Sequence, residues 1–100
     1  MDLAISVLGQ VTASLEGLGI PYALVGSLAS SIHGLYRSTA DIDILANVEV
    51  SQAQNLFTTL RDAFYVDEQA IRDAVAHRRS FNAIHYDAVF KVDIFISPKR

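Results

Sequence analysis

The chain has 100 residues, 51% of them hydrophobic, enough for one domain with a single core and too few for a second. It has no cysteine, which excludes disulfide frameworks and thiolate metal sites, so any metal must be held by oxygen or imidazole. The formal net charge of -3 weighs against a domain that coats nucleic acid, because such domains carry a basic excess to displace counterions from phosphates.

Met1 to Leu18 has neither a basic leader nor an unbroken apolar run, so no signal peptide or membrane span is predicted and a cytoplasmic protein is expected. Ala4, Val7, Leu8, Val11, Leu15 and Leu18 recur at the spacing of one helical face, and Gly19-Ile20-Pro21 supplies a glycine cap followed by a proline that stops the helix. Tyr22 to Val25 reads as a short buried strand running into a turn at Gly26, after which Ser27 opens a second helix that Gly34 closes. Asp41 to Ala46 alternates as a strand, with Ile42, Ile44 and Ala46 on one face and both aspartates on the other. Ser51 and Gln54 have the spacing of a capping box for a helix whose apolar stripe is Ala53, Leu56, Phe57, Leu60 and Phe64. Asp67 caps a further short helix through Ile71, Ala74 and Val75, ending in His77, Arg78 and Arg79. Two strands follow, Ser80 to Tyr86 and Val89 to Ile96, joined by a tight connection at Asp87-Ala88. The chain then stops at Ser97-Pro98-Lys99-Arg100, which fits either a small domain with a basic tail or a core from which later helices are missing.

The acids carry the chemistry. Asp41 and Asp43 lie two apart on one strand face, and Asp93 repeats the pattern inside Phe90-Lys91-Val92-Asp93-Ile94-Phe95-Ile96. Carboxylates placed together in apolar strands repel one another and are costly to bury without a cation. Hard oxygen donors of this kind suit Mg²⁺ or Mn²⁺, with phosphate oxygens completing the shell, so Asp41, Asp43 and Asp93 are expected to bind metal. The competing reading places each aspartate at a solvated strand end or pairs it with Lys91 or Arg37. Gly26-Ser27, between a strand and a helix, offers backbone N–H groups and a hydroxyl to a phosphate; taken alone it is an ordinary turn and N-cap. Arg37, shortly before Asp41, could reach a triphosphate or steady an aspartate.

Val25-Gly26-Ser27-Leu28-Ala29, then His33-Gly34-Leu35-Tyr36-Arg37-Ser38-Thr39-Ala40-Asp41-Ile42-Asp43, then Lys91-Val92-Asp93-Ile94-Phe95 together resemble the nucleotidyltransferase (polymerase-beta-like) superfamily. With the Ser80-Phe81-Asn82-Ala83-Ile84-His85 strand, the closer resemblance is to the bacterial group related to abortive-infection toxins and, more distantly, to aminoglycoside nucleotidyltransferases. The resemblance spans about Pro21 to Ile96 and implies an α/β (α+β) fold, a mixed sheet flanked by helices, with residues 1–100 as a single domain. It implies Gly26 and Ser27 under the triphosphate, Asp41 and Asp43 holding the metals, and Asp93 near the acceptor hydroxyl. The implied reaction moves a nucleoside monophosphate from a nucleoside triphosphate to a hydroxyl by in-line displacement, with paired metals about 4 Å apart and Asp93 as general base. A catalytically reduced relative that works through a protein partner, as in toxin–antitoxin pairs, is the second expectation, and a homo-oligomer is compatible with either. A purely structural domain would need three coincidental acids.

The remaining polar residues read more plainly. His33 is a half-buried residue at a helix end, and His77-Arg78-Arg79 is a helix terminus of suitable charge. His85, Tyr22, Tyr36, Tyr65 and Tyr86 are expected to pack.

Overall fold

A computed structural model describes residues 3–25, 41–87 and 90–98. The helix expected from Ser27 to Gly34 lies outside the described residues. The first helix, α1 (Leu3–Gly17), buries Val7, Val11 and Leu15. Gly19 adopts φ +73, the left-handed conformation that glycine enters without a Cβ penalty, and Ile20 N–H donates back to the Leu15 carbonyl. The chain then enters β1 (Tyr22–Leu24), where Tyr22 Oη donates to Glu16 Oε2 at 2.5 Å and ties strand to helix. That hydrogen bond, then burial and the Glu16 charge, hold the phenol above its ordinary pKa.

β2 (Asp41–Ala46) leads to a 3-10 turn, Val50–Gln52, and then α2 (Ala53–Leu60). The side chain that reaches back here is Gln52, whose Oε1 accepts from Glu49 N–H, while its Nε2 donates to the Leu18 carbonyl. The capping box therefore sits at Glu49 and Gln52 instead of Ser51 and Gln54, and Gln54 Oε1 accepts from Arg72. Phe64 is buried as expected, but in a two-residue strand, β3 (Phe64–Tyr65), because α2 closes at Leu60. The last helix, α3 (Glu68–His77), is capped by Asp67, whose Oδ2 accepts from Ala70 N–H at 2.9 Å. Arg78 takes the left-handed C-cap position at φ 55 and donates to the Val48 carbonyl. β4 (Ser80–His85) and β5 (Lys91–Ile96) close the sheet. His85 N–H donates to the Phe90 carbonyl, so the connection begins after His85 and is wider than a two-residue turn at Asp87-Ala88.

The five described strands run in the order β1-β2-β5-β4-β3. β2 and β5 are parallel at the centre, and the other neighbours are antiparallel. The fold is thus α+β with a mixed sheet. Val7, Val11 and Leu15 of α1, Ala53, Leu56 and Leu60 of α2, and Ile71, Ala74 and Val75 of α3 all join the core made by Ile42, Ile44, Phe81, Ala83, Val92 and Ile94. The described helices therefore cover one sheet face. The opposite face carries Ala23, Asp43, Leu45, Asp93, Phe95, Asn82, Ile84 and Tyr65, none of them buried.

Two expectations need correction. β1 is not a buried strand: it lies at the sheet edge, and Leu24 keeps 47% of its surface exposed. Tyr65 and Tyr86 do not pack, with 60% and 57% of their surfaces exposed, because each lies at or just beyond a strand end on the outer side of the sheet.

Candidate functional site

The site begins with strand alternation. In β2, Ile42, Ile44 and Ala46 point into the core, so Asp43 and Leu45 face outward; in β5, Val92, Ile94 and Ile96 point inward and Lys91, Asp93 and Phe95 outward. The parallel register then sets Asp43 directly opposite Asp93. Neighbouring strands lie about 4.8 Å apart, so the two carboxylates rise side by side from the open face. The Asp41 backbone is opposite Lys91 in the same register. The Asp41 side chain, like Gly26, Ser27, His33 and Arg37, lies outside the described residues.

The register extends one strand further than sequence reasoning reached. β4 sets Asn82 opposite Asp93, which produces a row Asp43–Asp93–Asn82 across three adjacent strands. Asn82 was legible in principle: it is a polar residue inside an apolar strand, sharing its parity with Ser80 and Ile84 and not with the buried Phe81 and Ala83. Its exposed carboxamide can donate to a carboxylate or to a ligand held there.

Asp43 and Lys91 are each half-buried, and neither makes a side-chain hydrogen bond or ion pair among the described residues. Among the described residues, Lys91 and Asp43 form no ion pair with each other. Asp93 is half-buried and engaged. Next to Asp43 the open face has a depression of about 350 Å³, lined by Val25, Asp43, Leu45 and Phe95. Leu45 also lines a second depression, of about 190 Å³, together with Pro21, Tyr22, Ala23, Asn47 and Ser97. Together they form a largely apolar track that starts at a carboxylate, a common composition for small-molecule sites.

Two register-paired carboxylates supply hard oxygen donors of the kind that hold Mg²⁺ or Mn²⁺. Among the described residues no group of three or more His, Cys, Asp and Glu side chains is arranged to hold a metal ion. The donor set thus fits a divalent cation in chemistry, with two of the three expected carboxylates described as side chains.

The other candidates resolve as packing or caps. His85 is buried, accepts at Nδ1 from Asp87 N–H, meets Gln10 Oε1 at 3.0 Å through Nε2, and stands edge-on to the Phe64 ring. With both ring nitrogens in contact with neighbouring groups, the side chain packs into the fold. His77 and Arg78 terminate α3. No described helix is long and apolar enough to cross a membrane. Comparison with family models, curated proteins and solved structures gives no match for this chain.

Proposed function

We propose that the protein is a divalent-metal-dependent nucleotidyltransferase, moving a nucleoside monophosphate from a nucleoside triphosphate to a hydroxyl acceptor in the cytoplasm. One observation carries this reading: Asp43 and Asp93 are register partners on the face of the central parallel pair that the described helices leave free, beside an apolar depression. In this reading Asp41, Asp43 and Asp93 hold Mg²⁺ or Mn²⁺, and Gly26, Ser27 and Arg37 bind the triphosphate. Bound metal supplies charge stabilisation for the attacking and leaving oxygens. The acceptor oxygen forms a bond to the α-phosphorus, the bond from that phosphorus to the bridging oxygen breaks, and pyrophosphate leaves. Asp93 takes the acceptor's proton. The depression lined by Val25, Leu45 and Phe95 then offers the nucleoside an apolar surface.

The test is thermal melting with each nucleoside triphosphate, with and without Mg²⁺ or Mn²⁺, beside Asp43→Asn. The expected result is a stabilisation that needs metal and nucleotide together and is lost in the variant. No shift with any combination would overturn the reading.

A second reading has its own support. The sheet face that bears the acids also exposes Phe95, Ile84 and Tyr65, a surface that suits a protein partner or a second copy of the chain. A nucleotidyltransferase-like module without turnover, acting through such a partner in a toxin–antitoxin or regulatory pair, predicts no pyrophosphate release from any triphosphate.

A further inference from the structure

We infer that Lys91 belongs to the same site and binds the β- and γ-phosphates, holding the pyrophosphate as it leaves. The inference rests on the nucleotidyltransferase reading and names a residue that reading does not use.

Lys91 is the only Lys or Arg in the five described strands. It is two residues from Asp93 on the outward face of β5 and opposite the Asp41 backbone, so it occupies the row next to Asp43 and Asp93. The two rows are about 6.6 Å apart along the strands, a span comparable to that from the α- to the γ-phosphorus of a triphosphate. Lys91 is half-buried and makes no side-chain hydrogen bond or ion pair among the described residues. A lysine held in that state costs solvation and gains nothing within the described structure, whereas an incoming polyanion would supply its partner. Its flexible stem lets the ammonium follow phosphate oxygens as the bond to the α-phosphorus breaks. Asp43 and Asp93 would then stand beside the reacting phosphorus and Lys91 beside the departing charge.

Inorganic pyrophosphate is the probe, because every nucleotidyl transfer releases it whatever the base or acceptor. Its affinity is measured by calorimetry in saturating Mn²⁺ for the intact protein, Lys91→Ala and Lys91→Arg, and Mn²⁺ alone is titrated by electron paramagnetic resonance. Lys91→Ala should weaken pyrophosphate about tenfold or more, the loss expected for one charge-assisted hydrogen bond. Lys91→Arg should restore most of it, and Mn²⁺ alone should bind Lys91→Ala within about twofold of the parent, roughly a 0.4 kcal/mol difference. Equal pyrophosphate binding by the parent and Lys91→Ala would overturn the inference. So would unchanged pyrophosphate binding with much tighter Mn²⁺ binding in Lys91→Ala, since Lys91 would then be a counter-ion to the carboxylates. If the parent protein binds neither triphosphate nor pyrophosphate in the presence of metal, the nucleotidyltransferase reading itself fails; if it binds them and Lys91→Ala matches it, only the lysine assignment fails.

Discussion

Replacing Asp43 with asparagine should make the metal-free protein more stable while removing its response to metal and nucleotide. Asp43 and Asp93 face each other across a parallel pair, so their charged groups are about 5 Å apart. Both are half-buried, so the dielectric of water sets a lower limit, at which two unit charges at that distance repel by about 0.8 kcal/mol. Screening at 0.1 M salt lowers this to about 0.5 kcal/mol. Asparagine keeps the shape and removes one charge, so the relief should raise the melting temperature by about 2–4 °C for a domain of this size. The assay is differential scanning calorimetry without metal, at neutral pH, in low salt and again at 1 M salt, where the gain should shrink. If the proposed nucleotidyltransferase reading holds, adding Mg²⁺ and a triphosphate should reverse the order of the two proteins, because the variant lacks one of the proposed metal ligands. A metal-free variant that melts at or below the parent temperature in low salt, or a gain indifferent to salt, would refute the picture of two mutually repelling carboxylates.

The Tyr22 phenol is held above the ordinary tyrosine value of 10.0, so the stabilisation from its bond to Glu16 is present below pH 10 and is lost as pH rises through the folded value. Tyr22→Phe should flatten the alkaline limb of a stability profile measured by chemical denaturation. Phe64, 1% exposed and edge-on to His85, should cost about 3–5 kcal/mol on truncation to alanine, read as a lower urea midpoint. Gly19 has nothing within 4 Å of where a Cβ would lie, so Gly19→Ala isolates the left-handed backbone cost of about 1–2 kcal/mol in chemical denaturation; an unchanged midpoint would contradict the φ of +73.

Local chemistry was readable where one segment decides the outcome. Val7, Val11 and Leu15 with Gly19 define α1, Asp67 defines the start of α3, and the alternation in Asp41–Ala46 and Lys91–Ile96 assigns each side chain to its face before any partner strand is known. What depended on distant segments was not readable. Phe64 continues the four-residue spacing from Leu60, yet it pairs with His85 in a strand that exists only because β4 lies beside it. Whether Tyr22–Leu24 is buried depends on its edge place in the sheet order, which no property of three residues encodes. The capping spacing occurs twice, at Glu49 and Gln52 and at Ser51 and Gln54, and the turn at Val50–Gln52 selects the first. In the site, the outward parity of Asp43 and Asp93 came from each strand alone. Their exact pairing, and the positions of Asn82 and Lys91 beside them, required the register.

That register also has a temporal side. Asp43 and Asp93 stand half the chain apart in sequence, and the strands that carry them meet only through a long-range closure, the slowest kind of contact to form. No hairpin or helix folding on its own brings the two acids together. During synthesis, Asp43 emerges long before its partner strand exists, so a growing chain has no chelating pair to offer. The pairing of the two carboxylates arrives in one step with the docking of β5 and belongs to the finished fold alone.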